Sequence, residues 1–300
     1  MNGRIAVLAA VLTCTARTAF AEAALDPRLR PGGAQLEAQA HFGVATTPFD
    51  VTALPEAKGQ AFVFLAGARY ALSALLSFEL HVPVVLGSVA QPAGSYLDAA
   101  ALANPQLGVR YRFIERRSGK AALTLAGAVE LGVPLASHDE DLMPNRVLAI
   151  ADGVEGRAHP EWFTPGVAPI TPSSALRWAS APWSLETELR LPLLVRVSEG
   201  SLPSMTTNTK TLGFAAVASG ETRYRLSQRL SLAAGAHLFF DIAPCVEHVR
   251  DVSRVQDFER LGVHIHFGSR AALAIELQTA IAGELGGSTV AGGLRGVVNL

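Results

Sequence analysis

Cysteine is nearly absent from this chain, with two among 300 residues, and methionine and tryptophan are scarce at three each. Cys14 falls in what reads as a cleaved leader, so a mature chain keeps Cys245 alone. That excludes an intramolecular disulfide and a cysteine-based metal centre. Charge of one sign is also lacking. Lys plus Arg number 25 and Asp plus Glu 26, a net charge of -1, and no basic cluster of the kind nucleic acid demands is present. Mean hydropathy is positive at +0.28, yet beyond the leader no run of 18 apolar residues offers a membrane-spanning helix. The apolar residues must be distributed in some other way.

The leader itself is a secretory signal. Arg4 supplies the basic start, Ile5 to Leu12 the apolar stretch, and Ala19-Phe20-Ala21 the small-residue cleavage site. Cleavage after Ala21 leaves Glu22 as the first residue. A lipoprotein cut before Cys14 is the alternative, and Val11-Leu12-Thr13 matches its requirement for small residues poorly. The domain reading is a signal peptide over 1–21, a short N-terminal segment over 22–34 and one β-domain over 35–300.

What the chain has in quantity is alternation. Leu36, Ala38, Ala40, Phe42 and Val44 point one way while Glu37, Gln39 and His41 point the other. The same two-residue period recurs through Leu76 to Val84, Leu107 to Phe113, Leu123 to Val133, Leu185 to Val195, Leu261 to Phe267 and Leu273 to Leu277, always with charge on one face only. A soluble sandwich shows the same local pattern. Strand length separates the two classes. Many of these runs reach ten residues or more, and about ten residues tilted near 40° span about 25 Å, the height of an outer-membrane apolar band.

Connections point the same way. Strands are expected near 35–45, 60–71, 75–87, 105–114, 121–134, 172–180, 184–198, 209–224, 229–241, 258–268, 271–283 and 289–300. Short turns then alternate with longer loops, and both termini lie on the short-turn side. The hairpin Arg69-Tyr70-Ala71-Leu72-Ser73-Ala74-Leu75-Leu76-Ser77 is repeated as Arg223-Tyr224-Arg225-Leu226-Ser227-Gln228-Arg229-Leu230-Ser231. Tyr70, Tyr111, Trp178, Trp183 and Tyr224 all fall near short turns, where an interfacial aromatic belt sits. The expected fold is an all-β, antiparallel up-and-down transmembrane barrel of about 12 strands, with 10 or 14 as alternatives. The sixth strand is the least marked, because residues 136–172 are rich in charge, Pro and Gly. Val147-Leu148-Ala149-Ile150 within them reads as a short helix, an extra strand or a loop over the mouth.

Leu107-Gly108-Val109-Arg110-Tyr111-Arg112-Phe113, the strand ending Glu130-Leu131-Gly132-Val133-Pro134 and the Arg69 to Pro83 hairpin together resemble the outer-membrane barrels of the transporter or meta-pathway phenol-degradation family. The resemblance covers roughly residues 60–135. It implies a Gram-negative outer-membrane location, the barrel-assembly machinery and outer-membrane lipid as partners, and passage of small hydrophobic or aromatic solutes. Such barrels usually end in Phe or Trp, whereas this chain ends Val298-Asn299-Leu300.

Candidate functional residues follow from the face opposite the apolar one. The expected lumen set is Glu37, Glu79, Arg110, Arg112, Glu130, Glu186, Glu188, Arg190, Arg196, Arg260, His264, His266, Glu276 and Arg295, with six acids balancing six arginines. Balanced signs argue against strong ion selectivity. These charges either line a channel for small solutes or pair with one another and plug a narrow barrel. No catalytic residue, cofactor or metal is expected. An outer-membrane lipid hydrolase would need a serine and histidine on one face. The nearest candidate, His264-Ile265-His266-Phe267-Gly268-Ser269, places Ser269 in a turn. His264 and His266 share a face but lack a third ligand nearby in sequence, and Asp139-Glu140-Asp141 reads as a solvated acidic loop.

Overall fold

The computed structural model describes residues 31–47, 57–90, 94–119, 121–136, 142–197, 211–243, 255–267, 270–283 and 289–300. The proposed leader, Asp139-Glu140-Asp141, Cys245 and Ser269 lie outside them. Fourteen strands form one antiparallel sheet: β1 (Ala34–Thr47), β2 (Ala57–Ala71), β3 (Leu76–Ala90), β4 (Tyr96–Leu102), β5 (Gln106–Ser118), β6 (Ala121–Gly132), β7 (Val167–Ser180), β8 (Trp183–Arg190), β9 (Leu193–Arg196), β10 (Leu212–Arg225), β11 (Leu230–Ala243), β12 (Val255–Phe267), β13 (Ala271–Gly283) and β14 (Thr289–Asn299). Two helices, α1 (Leu142–Val154) and α2 (Pro160–Phe163), stand between β6 and β7. Each strand pairs with its neighbour, and β1 pairs with β14 from Gln35↔Asn299 to Ala45↔Thr289, closing the barrel.

Fourteen strands make twelve staves, because two staves are interrupted. β8 and β9 both run along β7 in a single register, Ser173↔Arg190 and then Ile170↔Leu193, with Leu191 and Pro192 between them. Proline has no N–H to donate. The Pro192 carbonyl still accepts from Ala215, and Leu191 donates to Pro172 across the gap. β4 and β5 likewise share β3 as partner, β4 on its upper half and β5 on its lower. The expected twelve-strand count therefore holds. Several boundaries shift: β7 starts at Val167 rather than 172, β5 runs to Ser118 rather than 114, β12 starts at Val255 rather than 258, and the expected loop 88–104 contains β4; of the three readings of Val147 to Ile150, the helix is the one present.

The repeated hairpin is one turn built twice. In the first copy, Ser73 Oγ accepts from the backbone N–H of Leu75 and Leu76. In the second, Ser227 Oγ accepts from Arg229 and Leu230. The Ser73 and Ser227 N–H groups donate to the carbonyls of Leu76 and Leu230. A hydroxyl that closes its own turn fixes register in both hairpins.

Leu36, Phe42, Val44, Leu80, Leu107, Val109, Leu131, Leu261, Leu277 and Leu294 are all exposed on the outer face, and their sequence neighbours Gln35, His41, Glu79, Glu130, Arg260, Glu276 and Arg295 are buried on the inner one. Apolar outside and charged inside reverses a soluble protein and suits a wall that meets hydrocarbon. No described helix is long and apolar enough to cross a membrane.

Candidate functional site

The lumen has two unlike walls. On β2 and β3 the alternation fails: Ala61, Val63 and Leu65, then Val85 and Val89, turn apolar side chains inward, joined by Ala45, Ala101 and Ala103. That surface is covered from within. α1 lays Val147, Leu148, Ile150, Ala151 and Val154 against it, all sealed from water, and α2 adds Trp162 and Phe163. Their spacing of three and four residues puts them on one helical face. Gly59 and Gly87 make the approach possible, for a Cβ on Gly87 would stand 3.0 Å from Val147 Cγ1, and one on Gly59 would stand 3.2 Å from Ile150 Cγ1. Burying each such aliphatic side chain contributes about 1.5–3 kcal/mol.

The other wall is ionic. Arg295 Nε lies 2.6 Å from Glu37, Arg110 Nε 2.7 Å from Glu79, and Arg260 Nη1 2.5 Å from Glu276. Arg260 also reaches Gln278 at 2.9 Å. Arg190 Nη2 is 3.3 Å from Glu130 and bonds Glu161 of α2 as well. Glu186 and Glu188 are buried on β8. Arg112 pairs with Glu115 at 3.0 Å near the short-turn mouth, and Arg196 is half-buried on β9. His266 meets Ser231 Oγ at 3.2 Å. This Ser–His contact is on the lumen side of the wall.

His264 is 0 % exposed and neither ring nitrogen has a hydrogen-bond partner. Glu221 and Glu276 lie beside it, the possible ligand atoms of the three within 4.8 Å of one another. Both carboxylates are already bound by guanidinium groups, Glu221 by Arg223 and Glu276 by Arg260. The charges are balanced before any cation enters, so the trio reads as part of the ion-pair network.

Several residues of this arrangement carry no mark in the candidate set. Arg69, which bonds Glu79, and the Glu221–Arg223 pair obey the same two-residue period as the other inward charges, and that period is the signal that finds them. Glu155, His159 and Glu161 ride on or beside the helices, in a segment without strand periodicity. Asn104 fills the break between β4 and β5. Its amide donates to the carbonyls of Glu161 at 3.0 Å and Thr164 at 2.8 Å, and its Oδ1 accepts from Ala136.

The helical segment therefore bridges the lumen. Glu155 Oε1 meets His41 Nδ1 at 2.7 Å on β1, Gln278 donates to the Val154 carbonyl, Thr289 to that of Gly153, and His237 to that of Gly156. Gly156 has φ +67° and ends α1, a position that only glycine takes freely. Beyond it, Arg157 lies over the Phe239 ring and His159 stacks on Trp162 with centroids 3.7 Å apart. Burial, reinforced by Arg190, holds the His159 imidazole well below its usual range, so it is neutral. Burial opposes ionisation of Glu155, but the adjoining His41, with Arg260 and its other neighbours, outweighs it and keeps the carboxyl below its ordinary value. On the short-turn side a small cleft remains, lined by Arg69, Leu76, Ser77, Arg110 and Arg112 among others.

Asp152 is the weak point of the plug. Its Oδ1 is sealed from water without a hydrogen-bond partner, and burial pushes the carboxyl up to about 6. A carboxyl raised in the folded state contributes fully below its unfolded value near 3.8 and loses that contribution as pH rises through about 6. Asp152→Asn is accordingly expected to raise the thermal unfolding temperature at pH 7.5 and to leave it unchanged near pH 4. Equal shifts at both values would contradict this.

Tyr70, Tyr111, Trp178, Trp183 and Tyr224 are exposed at the short-turn ends of their strands. Trp183 and Tyr224 meet edge to face with centroids 4.7 Å apart.

No family model matches the chain, and no curated protein matches it in sequence. Among solved structures it is similar to an outer membrane channel from Pseudomonas putida F1, with 15% identity and a TM-score of 0.61 over 92% of this chain and 98% of that one. It is also similar to the translocator domain of the autotransporter NalP from Neisseria meningitidis, at 13% identity and TM-score 0.48, covering 93% of this chain and 91% of that one. The CymD monoaromatic hydrocarbon channel follows, at 10% identity and TM-score 0.44, covering 95% and 94%. The first likeness shows a shared fold, that of an outer-membrane β-barrel.

Proposed function

We propose that this chain is a passive outer-membrane channel for small hydrophobic or aromatic solutes, held closed by α1 and α2. The observation that carries the reading is the apolar inner stripe of β2 and β3. Lipid never touches that side of the wall, so only an apolar occupant accounts for it. In the closed state the occupant is α1; with α1 displaced, the stripe offers a solute the same contact. The facing charges, being paired and balanced, leave the path without strong ion selectivity. The paired lumen residues Glu37, Glu79, Arg110, Glu130, Arg190, Arg260, Glu276 and Arg295 act as the scaffold of that path, and the exposed tyrosines and tryptophans as its bilayer belt. No part of this reading calls for an enzymatic step, a cofactor or a metal.

A second reading, a barrel with a structural or surface role, draws on the number of polar contacts that fasten the plug. Planar-bilayer recordings separate the two. The whole chain is expected to show rare openings, and a variant with residues 142–163 replaced by a Gly-Ser linker to show steady conductance, at least about tenfold higher in mean current. Silence from both would overturn the channel reading.

A further inference from the structure

The short-turn end carries a second kind of surface. Arg116 and Arg117 stand at the end of β5, Arg225 and Arg229 in the β10–β11 turn, and Arg270 beside β13, and all five are exposed. Among the described residues of these turns Glu115 is the one carboxylate, and it is shared by Arg112 at 3.0 Å and Arg117 at 3.3 Å.

We propose that this basic rim is a docking collar for the phosphate groups of anionic phospholipids in the adjoining leaflet. The inference rests on the membrane reading above and adds a partner to it. Three features favour a leaflet over a dissolved anion or a soluble protein. The arginines sit on three separate turns spread around the barrel, so no single small anion bridges them, whereas a plane of head groups meets all of them. They lie next to the exposed aromatics Tyr111, Phe113, Trp183 and Tyr224, side chains suited to a bilayer interface. The two remaining described turns are apolar, with Leu72 and Leu75 exposed in one and Trp183 in the other, which fits insertion beside the lipid rather than contact with a protein. Arg225 is partly preorganised: its Nε and Nη2 donate to the carbonyls of Ser227 and Gln228, each at 3.2 Å, fixing the guanidinium over the turn.

The test uses the full chain in nanodiscs of phosphatidylcholine alone or with about one third phosphatidylglycerol, followed by native mass spectrometry of the lipids that remain bound. Phosphatidylglycerol is expected to be enriched about fivefold over its bulk share at low salt, an attraction built from several basic side chains near an anionic surface. Enrichment should fall below about twofold in Arg116→Gln/Arg117→Gln/Arg225→Gln/Arg229→Gln/Arg270→Gln and in high salt, where screening is effective. The matching all-Lys variant should keep most of it, and so reports on the collar should the Gln variant fold poorly. Unchanged enrichment in a folded Gln variant would overturn the proposal, as would equal retention of both lipids by the unmodified protein. Glycerol phosphate added to phosphatidylcholine discs should neither bind nor stabilise; if it reproduces the effect, the ligand is a free anion and the collar is refuted. Failure of the chain to enter either disc would strike the membrane reading instead, and is distinguishable from a null lipid preference.

Discussion

A barrel carrying Gly87→Cys and Val147→Cys is expected to lose solute flux when oxidised and to regain it on reduction. Gly87 is on the inner face of β3 and Val147 on the apolar face of α1, and a Cβ built on Gly87 stands 3.0 Å from Val147 Cγ1. Across an S–S bond of about 2.05 Å, a Cβ and the partner sulfur are separated by about 3 Å. A cysteine at 147 places its sulfur close to where Val147 Cγ1 now lies, so the bond forms with little movement. The cost lies in the backbone: the new Cβ would stand 2.9 Å from the Gln60 carbonyl, closer than a Cβ normally comes, so β2 and β3 must shift apart at that point. Cys245 is replaced by Ser so that no third thiol competes. The measurement is swelling of proteoliposomes in a small aromatic solute with and without reductant. Oxidised and reduced protein with equal flux, once the bond is verified by mass, would show that solute passes without displacing α1.

Arg190 carries the second large effect. Its guanidinium lies between Glu130 on the wall and Glu161 on α2, with Glu188 beside it on the same strand, and its side chain is 4 % exposed. Arg190→Met leaves buried carboxylates facing one another without their cation. Removing one partner of a buried pair costs about 3–5 kcal/mol, well beyond what the pair adds over an apolar substitute. The expected result is a loss of that size in the free energy of unfolding, followed by urea titration in lipid vesicles. The double variant Arg190→Met/Glu161→Gln should recover part of it, because one of the stranded charges is gone. A single-variant loss under about 1 kcal/mol would show that water already reaches this cluster.

The wall of this protein was legible because two solvents act on it. Hydrocarbon outside and polar contacts inside select side chains on alternate positions, and Leu36 to Val44 or Leu261 to Phe267 display this without help from any tertiary contact. The aromatics near short turns and the long strands then distinguished a membrane barrel from a sandwich. The occupant of the lumen was harder to see. Val147, Leu148, Ile150, Ala151 and Val154 carry a helical period, but they lie in a stretch of charge, Pro and Gly that reads equally as a strand or loop. The clearer sign was in the wall. Phe62-Val63-Phe64-Leu65 and Val82-Pro83-Val84-Val85-Leu86 break the alternation by being apolar on both faces. An inward-facing apolar stripe implies something apolar to cover it, and that inference needs the barrel to be recognised first. Asn104, Glu155 and Glu161 had no sequence signal at all, since their partners on other elements lie 29 to 114 positions away.

The placement of α1 also links the two ends of the chain. The helix packs on β1, β2, β3 and β4 and meets β14 only at its edge. When the chain has been delivered as far as Val154, nearly everything α1 touches is already present, and the strands from β7 to β13 have yet to arrive. A helix of thirteen residues thus covers wall that almost all precedes it in the chain, while its far end is fastened by the last two strands, through Gln278 to the Val154 carbonyl and Thr289 to that of Gly153. Both ends of the sequence meet on this one helix, so the seam between β1 and β14 and the plug stand or fall together.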